Sequence, residues 1–179
     1  MLTAATVFLG PSAFSGERSE PATRVVKPSP PAANAAERRD RRYAERYGID
    51  MELARLVVEQ SKRAGVNPEI AFGLIAVESG FDARAVGRNG ELGLMQIKLS
   101  TARAYERGVT SSQLFRPEVN LRIGLAHLKR ETEHFGDRSL GLLAYNMGRG
   151  RLSRILKAGR RPSADYASQI LARCVRDCG

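Results

Sequence analysis

The chain has 179 residues, 42% of them hydrophobic, enough apolar material for one compact domain with some tail. Trp is absent and aromatics reach only 6%, so Leu, Ile, Val and Ala must build the core. The net charge of +10, with a pI near 10.3, favours an anionic partner such as nucleic acid, membrane headgroups or an acidic cell-wall polymer, unless it only reflects an Arg-rich solvated surface. No helix-turn-helix, zinc-finger or RNA-binding signature accompanies the charge, which disfavours nucleic acid, and the sequence predicts no transmembrane segment.

Residues 2–9 form a short apolar run, and Ala13-Phe14-Ser15 has the small-x-small form of a signal-peptide cleavage site. The basic segment that should precede such a run is missing, because the first basic residue is Arg18. Residues 1–15 are therefore read as a partial signal peptide or a tail. Residues 16–48 read as a Pro-, Ala- and Arg-rich linker, with Pro28, Pro30 and Pro31 clustered, ending in a densely charged stretch from Glu37 to Arg46. That stretch is expected to form a frayed, exposed helix. Residues 49–175 read as the globular domain and 176–179 as a tail.

Asp50 caps a helix to about Ala64, closed by Gly65. Asn67 caps the next, with Pro68 at its first position, where a missing N–H costs nothing; Gly80 stops it. Residues 81–92 read as a loop with Gly87, Asn89 and Gly90 as turn residues, and Gly93 to Ile97 as a short apolar segment. Helices are then predicted from Ser100 to about Arg107, from Pro117 to about Phe135 and, capped by Ser139, through Met147. Two shorter ones follow near 150–158 and 163–175. The fold class is mainly α with a small non-helical lip.

Glu78 lies on the predicted apolar stripe of the Pro68 helix, one turn beyond Leu74 and Ile75 and two beyond Ala71. A carboxylate on that face loses solvation, its pKa rises, and a carboxyl kept neutral can serve as a general acid. Two further segments have ligand chemistry. In Gly93-Leu94-Met95-Gln96-Ile97, Met95 offers an adaptable apolar contact and Gln96 both a donor and an acceptor for an amide or sugar hydroxyl. In Ala144-Tyr145-Asn146-Met147-Gly148, Tyr145 joins an apolar ring to a polar tip, and Asn146 can bond an N-acetyl group or orient the acid. Each segment alone also reads as an ordinary turn or helix stop.

The run from Arg149 to Arg161 holds six basic residues (Arg149, Arg151, Arg154, Lys157, Arg160, Arg161) and no acid, and could flank a cleft for an anionic polymer. His127 and His134 lack an acidic partner set and are read as surface or packing residues, so no metal site is expected. Cys174 and Cys178 close a small disulfide only if the last helix frays; two free thiols fit as well.

Taken together, Glu78-Ser79-x-Phe81, Ala85, Gly93-Leu94-Met95-Gln96-Ile97, Thr101-Ala102, Asn120-x-x-x-Gly124, Ala144-Tyr145-Asn146-x-Gly148 and Tyr166 resemble the catalytic domain of the soluble lytic transglycosylase (SLT) family, related in fold to goose-type lysozymes, over roughly residues 50–172. The resemblance implies a lysozyme-like helical fold, with peptidoglycan glycan strands as partner and no cofactor. It implies cleavage of the MurNAc–GlcNAc β-1,4 bond with formation of a 1,6-anhydromuramoyl end. Glu78 matches the single catalytic acid; Met95, Gln96, Tyr145, Asn146 and Tyr166 match residues lining the cleft. Asn120 is expected to cap or tether a loop. Many members carry a serine where this chain has Gly87, and the glycine form resembles members from secretion and conjugation systems, a possible second partner. The alternatives are a hydrolytic muramidase, with Glu91 as base, and a non-catalytic wall-binding or secretion-assembly module. A monomer, periplasmic or exported, is expected.

Overall fold

A computed structural model describes residues 34–174. Its eight helices are α1 (Ala35–Tyr47), α2 (Met51–Ala64), α3 (Pro68–Glu78), α4 (Leu99–Arg103), α5 (Pro117–Phe135), α6 (Arg138–Met147), α7 (Arg149–Lys157) and α8 (Asp165–Leu171). Two short strands, β1 (Glu91–Leu92) and β2 (Ile97–Lys98), and a 3-10 turn at Gln113–Phe115 complete the described residues. The mainly helical reading with a small non-helical lip therefore stands.

The helix boundaries follow from capping chemistry. Asp50 accepts from the Leu53 N–H at 2.6 Å, and Asn67 from the Glu69 N–H at 2.9 Å, each satisfying a donor that the first turn leaves open. Three expectations differ in detail. The cap of α6 is Asp137, which accepts from the Leu140 N–H at 2.7 Å, because Gly136 ends α5 one residue earlier and Ser139 already lies inside the helix. The helix α4 spans only Leu99–Arg103, because the Ala104 and Tyr105 N–H groups turn back to Thr101 and Ala102 in tight bonds. The helix α8 spans Asp165–Leu171, shorter than 163–175.

The charged run at 37–46 forms α1, and it is not the frayed, exposed helix its composition suggests. Tyr43 and Ala44 are buried, and the Tyr43 ring stacks on Phe72 of α3 at 4.1 Å. Tyr47 stacks on the same ring at 5.2 Å. Glu69 receives the Tyr43 hydroxyl at 2.9 Å and pairs with Arg46 at 3.3 Å, and buried Asp40 is held by Arg39. Packing thus begins before residue 49. Residues 1–33 and 175–179, with the expected signal peptide, most of the linker and the tail, lie outside the described residues.

Six consecutive residues of α3, Ile70 to Ile75, are buried, so the helix has no solvent face over that length, rather than a single apolar stripe. Burial of each large aliphatic or aromatic side chain contributes about 1.5–3 kcal/mol. Two glycines set helix separations. A Cβ on Gly73 would lie 2.8 Å from the Ile170 carbonyl oxygen, so α8 rests directly on α3; a Cβ on Gly141 would lie 2.4 Å from Thr132 Oγ1, bringing α6 against α5.

The lip is an antiparallel pair with Glu91 opposite Lys98 and Leu92 opposite Ile97, extended by a bridge from Val86 to Leu92. Its turn is anchored from α5 by Asn120, which is fully buried. The Asn120 amide donates to the Leu92 and Leu114 carbonyls, both at 2.8 Å, and its oxygen accepts from the Met95 N–H at 2.8 Å. This is the loop tether expected of it. Gly93 sits at φ 72, and a Cβ there would lie 2.5 Å from the Asn120 amide nitrogen, so only glycine fits.

Candidate functional site

Four parts of the chain converge: the end of α3, the lip, the end of α6 and the start of α8. Glu78 is the last residue of α3. Because Gly73 lets α8 lie on α3, the Tyr166 hydroxyl reaches Glu78 and donates to its Oε1. Ser79 follows and fastens the helix end to the lip, donating to the Leu94 carbonyl at 2.7 Å. Tyr145 closes the other side with a 2.7 Å bond from its hydroxyl to the Met95 carbonyl.

The electrostatics of Glu78 follow from this enclosure. Burial raises its pKa; the bond from Tyr166 favours the anion and opposes the shift, while the negative charge of Glu91 adds to it. The outcome is a carboxyl held above the usual range. Tyr166 and Tyr145 are in turn pushed up by burial and by the nearby Glu78, so both hydroxyls stay protonated donors.

The expected lining residues do not all behave alike. Tyr145 and Tyr166 are half-buried beside the acid. Asn146 is exposed, and its side chain has no partner among the described residues. Gln96 has φ 48, an unfavourable backbone for a non-glycine residue, and its amide donates to the Gly93 carbonyl at 2.9 Å and to Ala85 at 3.3 Å. Met95 requires a correction. Its side chain is fully buried and packs over Gly124, where a Cβ would stand 2.5 Å from the sulfur. Met95 shapes the lip from behind and presents no open side-chain surface.

Gly87 is spatially part of this cluster. A Cβ there would lie 2.5 Å from both Gln96 Oε1 and Glu91 Oε2. The space a serine side chain would need is thus already filled by two neighbouring polar groups. Glu91 accepts from the Asn89 N–H at 2.9 Å and pairs with Lys98 at 3.4 Å. Burial opposes its ionisation, but these bonds outweigh burial and hold its carboxyl below the usual range. Asp82 is exposed and accepts from the Arg84 N–H at 2.8 Å.

A buried group behind the site went unrecognised in the sequence. Glu131 of α5 is 1% exposed and accepts two bonds from Arg149, both at 2.9 Å. Arg130 approaches at 3.6 Å and His127 at 3.5 Å. His127 bonds the Tyr105 hydroxyl at 3.1 Å, and its ring lies 5.0 Å from that of Tyr145. His127 is therefore a packing residue and His134 is exposed, in line with the reading of both as surface or packing residues. Burial lowers the His127 pKa, keeping the ring neutral. The only sequence signal for this group was a basic residue directly after a helix-ending glycine. Among the described residues no group of three or more His, Cys, Asp or Glu side chains could hold a metal. Cys174 is disulfide-bonded; Cys178 lies outside the described residues.

Two concavities lie elsewhere, one of about 190 Å³ between the α2–α3 turn and α5–α6, the other of about 750 Å³ over α2 and α5. Neither is lined by Glu78 or the residues around it.

Comparison with known proteins agrees with this geometry. The family described as Transglycosylase SLT domain matches residues 55–167. The endo-type membrane-bound lytic murein transglycosylase A of Cronobacter sakazakii is 41% identical over 71 residues, which cover 36% of this chain and 35% of that protein. The lytic transglycosylase Slt of Pseudomonas aeruginosa, solved as an inactive glutamate-to-glutamine mutant, superposes with a TM-score of 0.59 at 30% identity, over 66% of this chain and 22% of that one. The 70-kDa soluble lytic transglycosylase of Escherichia coli superposes with a TM-score of 0.61 over 76% of this chain and 29% of its own; at 23% identity it speaks for the fold. The chain thus spans about a third or less of the length of these relatives.

Proposed function

Because the chain belongs to the SLT transglycosylase family, we propose that it is a peptidoglycan lytic transglycosylase, with Glu78 as acid and then base. The observation that carries this reading is a half-buried carboxyl held above the usual range, facing a hydroxyl rather than a cation. A protonated Glu78 gives its proton to the oxygen joining N-acetylmuramic acid to N-acetylglucosamine, and that bond breaks. The substrate's acetamido oxygen stabilises the cationic C1. The ionised Glu78 then takes the proton of the muramoyl C6 hydroxyl, whose oxygen closes on C1 in a 1,6-anhydro ring. The Tyr166 hydroxyl steadies the carboxylate between the two transfers. Tyr145, Gln96 and Asn146 border the sugars, with Met95 supporting the lip.

One observation favours a second reading. Glu91 is held ionised in the lip and its charge is felt at Glu78, so it stands as the base for water in a hydrolytic muramidase. Two carboxylates of unlike pKa are the usual equipment of hydrolysis, but Glu91's oxygens are already engaged by Asn89 and Lys98. Mass spectrometry of fragments from purified sacculi decides. Products one water lighter than hydrolytic fragments, without a reducing end, support the lytic reaction; reducing ends would replace it with the muramidase. Retention on the sacculi without cleavage would make the chain a binding module.

The substrate sets the working location outside the cytoplasm, periplasmic or exported, and we take the chain to act as a monomer. No helix among the described residues is long and apolar enough to cross a membrane. A setting in a secretion or conjugation apparatus rests on the resemblance of the glycine at 87 to members from such systems.

A further inference from the structure

The segment joining the two cleft tyrosines carries an inference that rests on the peptidoglycan reading. No acidic residue occurs between Asp137 and Asp165, while Arg149 to Arg161 holds six cations. The first of these is an anchor. Arg149 begins α7 directly after Gly148, and its two bonds to buried Glu131 pin that corner to α5 beside Asn146. At the far end Tyr166, five residues after Arg161, is fixed by its bond to Glu78. The segment is therefore tied to the cleft at both ends.

Between the ties, Leu152 is buried and turns one side of α7 inward. Arg151, Arg154 and Lys157 are exposed, as are Arg160 and Arg161 in the loop that follows. None of these five pairs with a carboxylate among the described residues. Other exposed cations do: Lys129 with Glu133, Arg122 with Glu106 and Arg41 with Glu37. The five thus form a cationic surface without carboxylate partners among the described residues, on a segment tied at both ends to the residues around Glu78.

We propose that this surface receives the carboxylates of peptidoglycan stem peptides. Where a stem is attached, the lactyl carboxyl of the sugar is consumed in an amide bond. The remaining free carboxylates then lie along the peptide, projecting away from the glycan. A cationic face beyond the sugar-lining residues meets the peptide and not the sugar. Arg matches carboxylate geometry with two parallel donors, and exposed side chains suit a flexible ligand.

The test uses the full chain carrying Glu78→Gln, so that sacculi persist, and measures binding to purified sacculi by sedimentation across a salt series. A second protein adds Arg151→Gln, Arg154→Gln and Lys157→Gln. A charge-matched control instead adds Arg42→Gln, Lys62→Gln and Arg63→Gln, three exposed cations of α1 and α2. Melting curves confirm that all three are folded. The α7 variant is expected to bind about tenfold more weakly at low salt, with a shallower salt dependence, while the control keeps its affinity. The difference should vanish on sacculi whose carboxylates have been amidated and on strands stripped of stems by an amidase, once the lactyl carboxylates that the amidase frees have been amidated too. Equal weakening in both triple variants would assign the effect to net charge and overturn the inference. Persistent weakening on stripped strands would move the contact to the sugar and overturn it as well. The parent chain separates the two levels: sacculi left uncleaved by it defeat the catalytic reading, whereas cleavage by the parent with unchanged binding by the α7 variant defeats the stem-peptide surface alone.

Discussion

Glu78 at the end of α3 and Glu131 in the middle of α5 are both acids drawn out of bulk water, and they differ in their company. Glu131 meets Arg149 twice at 2.9 Å, with Arg130 and His127 close by. Burial alone would push Glu131 up, but the Arg149 bonds and these neighbours together hold it below the usual carboxylate range. Glu78 meets one hydroxyl and, at longer range, a like charge, and sits above that range. Cations turn a buried acid into a fixed anchor; a hydroxyl leaves it free to exchange its proton. One fold thus uses the same residue type for position and for chemistry.

Removing each acid's charge should separate the two roles. Glu78→Gln is expected to lower glycan cleavage by about 10²–10⁴-fold, the range of a lost general acid. Its melting temperature at neutral pH should stay equal to the parent's or rise. The sign follows from linkage. A folded-state pKa above the unfolded value gives stability that is complete below the unfolded pKa and lost as pH rises through the folded one. The ionised form at neutral pH is therefore a cost that glutamine removes, and the gain should shrink in acid. A clear drop in melting temperature would put Glu78 in the same class as Glu131.

Arg149→Met should cost about 3 kcal/mol in chemical denaturation, the low end for breaking a buried pair, because Arg149 is partly wet and Arg130 stays 3.6 Å from Glu131. Here the linkage sign is reversed. Glu131's lowered pKa contributes stability above the unfolded carboxylate pKa that is lost as pH falls through the folded one, so the variant should lose less stability than the parent on acidification. Tyr166→Phe is a smaller change. It removes the donor that favours the Glu78 anion, so the alkaline limb of the pH–rate profile should move to higher pH and cleavage should slow by about tenfold, the worth of one bond to a charged group. The smallest effect is expected from Glu91→Gln. Losing a like charge lets Glu78 ionise more easily, which should move that limb to lower pH with the products unchanged. Abolished cleavage would make Glu91 a reacting group and favour the hydrolytic reading.

The sequence made local features legible and distant ones obscure. Asp50, Asn67 and Pro68 announced their helix starts because capping is settled within four residues. Glu78 stood out because an acid interrupting an apolar run is visible in one dimension. The docking of α1 was hidden because Tyr43 and Tyr47 are two aromatics in a stretch whose charges dominate any average, and their partner Phe72 lies far along the chain. The Glu131–Arg149 pair spans two helices, and no periodicity marks it. The thioether chemistry that suits Met95 to a ligand contact serves equally well inside a core, and its burial over Gly124 decides between the two. Asn120 was readable as a tether but not as one with three bonds, since its partners come from two separate loops.

The Asn120 clamp has a consequence for redesign. The base of the lip is fixed from outside, by Asn120 at Leu92 and Met95, and by the bond from the Gly93 N–H to the Ala85 carbonyl at 2.9 Å. The tip beyond that base, at Val86 and Arg88 to Gly90, is exposed. A graft from a related chain can exchange the tip and leave the Asn120 seat in place only if it keeps the Val86–Leu92 bridge and the Asn89 N–H bond to Glu91, whereas a single change at Asn120 loosens the seat for every graft.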